Sequence, residues 1–313
     1  MTDHHPVPTD VDALIVGGGP AGLTAALVLG RQQRRVLLAD SGHPRNEHAS
    51  RMHMYLGRDG TDPARLRRDA HAEIAVHPAV RCVDVEVSRL EGTAGDFTAE
   101  LGDRSVRART VLLAGGVRDE LTPLPGLAER WGRDVHHCAY CHGFETLGRR
   151  IGVLARIPVD VVLARYVRDR FGSHVTLYTA GLDAEDEFTA EALSAARGEG
   201  IAVDAREVSG LGGAPGSPRV EFADGGAEEL EAIYHRPAAV QSNDLAAGLG
   251  CTMTADGLIE VGPDSATSVE GVYAAGDAAR MAAAPAPMQF VASAVADGQR
   301  AAVWMEQQLF TRS

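Results

Sequence analysis

The sequence predicts an α/β fold of two lobes, each a parallel sheet flanked by helices. Three observations carry that expectation. A complete βαβ unit stands near the N-terminus, and its strand–turn–helix–strand pattern recurs further along the chain. The length, 313 residues, leaves room for two domains that each bury a core.

The first lobe opens with "DALIVGGGPAGLTAALVLGRQQRRVLLAD". A strand over Ala13–Val16 leads to a turn over Gly17–Gly22, a helix reaching about Gly30, and a second strand over Val36–Ala39 closed by Asp40. In Gly17-x-Gly19-x-x-Gly22 the first glycine permits the tight turn. The second lets a pyrophosphate approach the backbone, and the third lets helix and strand pack closely. Asp40 lies where an acid accepts hydrogen bonds from an adenosine ribose. A purely structural turn is the alternative, and the register of strand, helix, strand and acid speaks against it.

The second lobe begins at "RRIGVLARIPVDVVLARYV", Arg149 to Val167. Aligning Pro158 with Pro20 lays Ile151–Leu154 on Ala13–Val16 and the later "HVTLY" on "RVLLA", so both lobes are expected to be Rossmann-like. Here Ala155, Ile157 and Asp160 stand where the first lobe has Gly17, Gly19 and Gly22. Ile157 sets a branched side chain where phosphate oxygens come close, and Asp160 sets a negative charge beside them. After the second strand the chain runs "YTAGLDAEDEFTAE", with Asp183, Glu185, Asp186 and Glu187 in place of the arginine that a 2′-phosphate selects. Some of these acids simply solvate a surface loop. The expectation is a scaffold retained without tight nicotinamide-nucleotide binding, so that NADPH is not bound.

Between the two βαβ patterns lies "HHCAYCHGFE". Cys138 and Cys141 are spaced to form a short-loop disulfide, and the adjacent His142 is placed to take or return a thiol proton near neutral pH. Two other readings stand beside this one. His136, His137 and His142 around two thiols suggest a zinc site, but there is no second CxxC and the histidines lie too close to the cysteines for usual ligand spacing. The pair is otherwise inert, a reading that the dinucleotide motif makes the weaker one. Cys82 and Cys251, far apart in sequence, are expected to be buried small hydrophobes.

Bulk composition narrows the partners. A formal charge of −13 and a pI near 5.4 argue against nucleic acid or an anionic membrane and leave a small-molecule or protein partner. Four cysteines are too few and too unevenly spaced for a secreted disulfide framework. The terminal "MTDHHPVPTDVD" lacks the basic and apolar regions of a secretion signal, and no apolar run has bilayer-spanning length. The expected setting is soluble and cytoplasmic, with no metal.

Together these segments resemble the low-molecular-weight thioredoxin reductase family over nearly the whole chain. The matching stretches are "GGGPAG", "LLAGGVRDELTPLPG", "CAYCHG", "ATSVEGVYAAGDAAR" and "MQFVASAVADGQRAA". The resemblance implies a homodimer with an FAD-binding domain over residues 1–117 and 245–313, interrupted by an inserted NAD(P)H-type domain over 118–244. FAD would be held non-covalently by Gly17, Gly19, Pro20, Ala21, Gly22 and Asp40, with Gly276 and Asp277 at its ribityl–phosphate region. Met288, Gln289 and Phe290 would lie by the flavin, and Cys141 would be the flavin-proximal cysteine.

The departures from that family point to one branch. Ordinary thioredoxin reductases carry Asp after the second cysteine, where this chain has His142, and they keep a glycine-rich second loop and a basic 2′-phosphate cluster. In lacking these the chain resembles the dithiol oxidases, the gliotoxin- and holomycin-forming flavoenzymes that close disulfides in natural products and pass electrons to oxygen. The segment "PRNEHASRMHMYLGRDGTDPARL" resembles that branch too, with His48 and His53 as candidates to line a pocket. The implied activity oxidises a small-molecule dithiol through Cys138, Cys141 and His142, with O2 as acceptor and H2O2 as product. The alternatives are an NAD(P)H- or ferredoxin-dependent thioredoxin or disulfide reductase, and a non-catalytic flavin redox sensor.

Overall fold

The computed structural model describes residues 8–172, 174–180, 182–183 and 186–312. Glu185 and the first seven residues, which enter the sequence reading above, lie outside them. The chain forms two compact units. One comprises the residues through Glu47, Thr61–Arg118 and Ala239 onward; the other comprises His48–Gly60 and Asp119–Ala238. Three departures from the expected spans are visible: Arg118 and residues 239–244 belong to the first unit, and the short excursion 48–60 to the second.

In chain order the first leg holds β1 (Asp10–Val16), α1 (Pro20–Arg31), β2 (Val36–Asp40), α2 (Pro63–Ile74), β3 (Val80–Asp84), β4 (Val87–Thr93), β5 (Asp96–Leu101) and β6 (Arg104–Leu113). The middle of the chain holds β7 (Val117–Glu120), α3 (Leu127–Arg130), β8 (Val135–His136), α4 (Ala139–His142), β9 (Arg150–Leu154), α5 (Val159–Arg170) and β10 (His174–Tyr178). It continues with α6 (Glu187–Gly198), β11 (Ala202–Asp204), β12 (Val208–Ala214), β13 (Ser217–Phe222), β14 (Ala227–Glu229) and β15 (Ala232–His235). The return leg holds β16 (Ala238–Gln241), α7 (Leu245–Gly248), β17 (Ile259–Val261), β18 (Val272–Ala274), β19 (Ala279–Met281) and α8 (Val291–Thr311).

In the first unit the sheet runs β3-β2-β1-β6-β5-β4, with β18 on β6. Its β1, β2, β3, β6 and β18 are mutually parallel, and β4–β5 is an antiparallel extension. Side chains alternate across a strand, so Leu14 and Val16 of β1 enter one core while Ala13 and Ile15 enter the other. The second of these cores is roofed by Leu23, Ala26 and Leu29 of α1 and by Ala301, Ala302 and Met305 of α8. Both faces of β1 are therefore covered along Ala13–Val16, which is why that stretch is apolar throughout rather than alternating. Cys251 is buried in the other core, but Cys82 is exposed, contrary to expectation. It sits on β3, the edge strand, where one flank has no neighbour to cover it.

The second unit repeats the plan on a smaller scale. A parallel sheet of order β11-β10-β9-β15-β8 carries α5 and α6, and a three-stranded antiparallel sheet, β12-β13-β14, shares a core with it through Leu211, Val220 and Phe222. β9 pairs with β10 (Ile151 opposite Val175) as β1 pairs with β2 (Ala13 opposite Val36). The internal repeat read from the sequence is thus a repeat of structure.

Candidate functional site: a dinucleotide cradle and a disulfide centre

The cradle in the first unit follows from its glycines. Gly17 adopts φ +105°, a region that L side chains avoid, and an added Cβ would strike the Ala114 carbonyl. A Cβ on Gly22 would collide with the Gly17 carbonyl, so close helix–strand packing requires glycine there. Around Gly19, by contrast, a Cβ would meet nothing within 4 Å. That open space lies at the start of α1, where Pro20 is the first helical residue, Ala21 is buried, and no side chain caps the helix.

Side chains distant in sequence complete the cradle. Asp40 at the end of β2 accepts a hydrogen bond from Arg67 Nη2 at 2.6 Å. Gly276, at φ +72°, would bring a Cβ within 3.0 Å of the Ala21 side chain, which sets Asp277 beside the first turn of α1. Arg45 Nη1 donates both to Asp277 Oδ2 (3.0 Å) and to Gln289 Oε1 (2.9 Å), and Gln289 Nε2 donates to the Asp277 carbonyl at 3.3 Å. Phe290 is the residue preceding α8, and Met288, two positions earlier, is 67 % exposed. An uncapped helix start, open space over Gly19, an acid at the end of β2 and a nearby guanidinium fit a flavin dinucleotide. Arg45 and Arg67 were not singled out in the sequence. The only signal for Arg45 was its place in the "PRNEH" segment.

The corresponding turn of the second unit is filled from within. Asp160 is fully buried, and its Oδ2 accepts from the backbone N–H groups of Arg156 (2.8 Å) and Ile157 (3.1 Å). A carboxylate of the chain itself thus takes the backbone donors of the turn leading into α5. Ile157 projects from the same turn, about half exposed. Asp186, one of the acids after β10, caps α6 by accepting from Thr189 N (2.9 Å) and Oγ1 (2.8 Å), which gives it a structural reason to be there.

The disulfide centre also lies in the second unit. Cys138 and Cys141 are disulfide-bonded across the one-turn helix α4, with Cα atoms 5.3 Å apart. The Cys141 backbone N–H donates to Cys138 Sγ at 3.1 Å, an interaction that favours thiolate at Cys138 once the bond is reduced. The ring of His142 stacks on that of His136, with centroids 4.3 Å apart and planes 14° from parallel, and meets the His53 ring edge-on at 6.2 Å. His53 Nε2 lies 3.3 Å from Glu145 Oε1 and its Nδ1 3.4 Å from Asp59 Oδ1.

Electrostatics keep the stacked pair neutral. Burial pushes the His142 imidazole below its ordinary value, Glu145 opposing this and His53 adding to it. Burial, with His142 and His137 nearby, pushes His136 down to about 3. The Nδ1 atoms of both rings are buried without a hydrogen-bond partner. Of the loop histidines named from sequence, His53 thus joins the disulfide centre, whereas His48 packs at Gly132. Glu145 and Asp59 were not read from sequence at all. Among the described residues no group of three or more His, Cys, Asp or Glu side chains is placed to hold a metal ion, and no helix is long and apolar enough to cross a membrane.

A glycine turn that fits a flavin dinucleotide and a disulfide-bonded cysteine pair on a doubly repeated α/β fold point to the class of disulfide oxidoreductases. The chain belongs to the pyridine nucleotide-disulphide oxidoreductase family, whose model matches residues 11–298, and it is an oxidoreductase. It is 36 % identical to the thioredoxin reductase tcpT of Claviceps purpurea, over 85 % of this chain and 86 % of that protein. It is 32 % identical to the thioredoxin reductase sirT of Leptosphaeria maculans, over 93 % and 92 %. Among solved structures, HlmI superposes with a TM-score of 0.88 at 34 % identity, over 98 % of this chain and 95 % of that one. An oxidoreductase from Agrobacterium tumefaciens superposes with 0.87 at 34 %, over 97 % and 100 %. The family implies a flavin, FAD, as cofactor.

Proposed function

We propose that this oxidoreductase is an FAD-dependent dithiol oxidase that closes an intramolecular disulfide in a small-molecule dithiol, with O2 as acceptor and without NADPH. The observation that carries the reading is the Asp160 carboxylate seated on the backbone N–H groups of Arg156 and Ile157. A nucleotide phosphate would have to displace a buried carboxyl group that already holds those donors. With no nicotinamide donor, electrons enter from the thiols.

In the proposed cycle one substrate thiol loses its proton to neutral His142, and its thiolate attacks the Cys138–Cys141 disulfide. A mixed disulfide forms and one enzyme thiolate leaves. The second substrate thiolate then attacks the substrate sulfur of the mixed disulfide, releasing cyclic disulfide and the reduced cysteine pair. His142 suits the first step because burial keeps its imidazole unprotonated, and His53, between Glu145 and Asp59, lies beside it. The cradle around Gly19, Asp40, Asp277 and Gln289 would hold FAD, which when bound would supply a two-electron carrier between the cysteine pair and oxygen. In net, dithiol and O2 become disulfide and H2O2, the enzyme returning to its oxidised state. The likeness to thioredoxin reductases further suggests a homodimer, which sedimentation velocity would register as a single species of twice the chain mass.

A second reading, an NAD(P)H-dependent disulfide reductase, draws on the names of the curated relatives. Anaerobic flavin bleaching separates the two. Dithiothreitol should bleach the bound flavin and NADPH should leave it yellow; bleaching by NADPH within seconds would make the protein a reductase.

A further inference from the structure

The sheet of the second unit carries a cleft of about 520 Å³ with no part in the chemistry above. It opens where β9, β10 and β15 end at Leu154, Tyr178 and His235, the edge of a parallel sheet at which α/β lobes take small ligands. Its volume falls within the range of small-molecule sites. Leu124, Leu127, Ala180 and Val208 give it an apolar wall.

Its polar groups are few. His235 is buried, with Nε2 3.3 Å from Thr122 Oγ1, and burial lowers its basicity and so favours a neutral imidazole. The two charged residues of the lining, Arg156 and Glu207, are of opposite sign, so the lining carries no net positive charge to draw in a polyanion. The backbone donors that would receive phosphate are held by Asp160. What remains is an apolar recess with a hydroxyl–imidazole pair at its polar end.

We infer that this cleft is a binding site for an uncharged, mainly apolar small molecule carrying one hydrogen-bonding group, and that the lobe has exchanged a dinucleotide for such a ligand. The site is separate from the disulfide centre, and its existence does not depend on the direction of electron flow there.

Nile red, an uncharged apolar dye whose emission is read to the red of flavin, tests the assignment on the full FAD-loaded protein. The expected result is saturable binding of one dye per chain, unaffected by millimolar NADPH or 2′,5′-ADP. Ala205→Trp and, separately, Ala180→Trp fill the recess from the loops after β11 and β10 and should weaken binding at least tenfold. Flavin content and melting midpoint certify that each variant is folded, and two positions guard against the loss of one. Dye binding of equal strength in both folded variants would place the dye on exposed surface such as Phe144 and overturn the inference. Displacement by either nucleotide would overturn it as well, because the cleft would then still be a nucleotide site. Absence of saturable binding in the unmodified protein would do the same.

Discussion

Replacing Asp160 tests whether its carboxylate is the acceptor that completes the second nucleotide-type turn. In Asp160→Ala the N–H groups of Arg156 and Ile157 lose an acceptor at 2.8 and 3.1 Å. Both hydrogen bonds are partly buried, and a donor left unsatisfied costs about 1–3 kcal/mol at full burial. Entry of water and relief from burying a carboxylate offset part of this. The expected loss is about 2–4 kcal/mol, a roughly 30-fold to several-hundredfold fall in the folded-to-unfolded ratio at about 1.4 kcal/mol per factor of ten. Asp160→Asn keeps one acceptor oxygen and loses the charge, so about half that loss is expected. The assay is equilibrium urea unfolding followed by the emission of Trp131, which is buried in the second unit, in a Trp304→Phe background. The same reasoning predicts that Ile157→Gly with Asp160→Gly, which frees the donors, raises NADPH affinity at least tenfold over the unmodified chain. Stability of Asp160→Ala within about 0.5 kcal/mol of the parent, or equal NADPH affinity in parent and double variant, would refute the reasoning.

Three further outcomes follow from the geometry. His142→Ala should slow dithiol-driven flavin bleaching by roughly 100-fold or more, the usual worth of a positioned general base, with flavin still bound; stopped-flow absorbance decides it. His136, held down at about 3 in the fold against 6.5 when unfolded, takes up a proton in the unfolded chain first, so its contribution to stability is complete above pH 6.5 and is lost as pH falls toward 3. Unfolding free energies from urea titrations should therefore drop between pH 6 and pH 4 at up to about 1.4 kcal/mol per pH unit for this group, and His136→Phe, which keeps a stacking ring for His142, should flatten the slope. Gly22→Ala should yield chain with little bound flavin, read as the ratio of flavin to protein absorbance, because its Cβ collides with the Gly17 carbonyl.

What the sequence disclosed and what it withheld divide by range. Gly17, Gly19 and Gly22 were legible because a tight turn writes its backbone demands into adjacent residues, and Cys138 and Cys141 because a short-loop disulfide needs close spacing. Asp160 was legible as a charge in the wrong place. Its seat on the Arg156 and Ile157 donors was not, because the same residue read from sequence alone serves equally as a helix-start acid. Arg45 meets Asp277 across 232 residues, and His53 reaches His142 from a separate loop; no local periodicity encodes either meeting. Cys82 misled for the reason that cysteine is usually buried, whereas its exposure here follows from β3 being an edge strand, a fact of sheet order rather than of sequence.

In the proposed function electrons flow from a small dithiol to oxygen with no nicotinamide involved. The most direct measurement follows oxygen consumption and peroxide yield during turnover of dithiothreitol by the purified flavoprotein, with NADPH omitted. The expected result is sustained turnover, abolished in Cys138→Ser and Cys141→Ser, with disulfide, consumed oxygen and peroxide in equal amounts. A protein that takes up no oxygen from dithiol until NADPH is added, or that stops after a single reduction of its flavin, contradicts it.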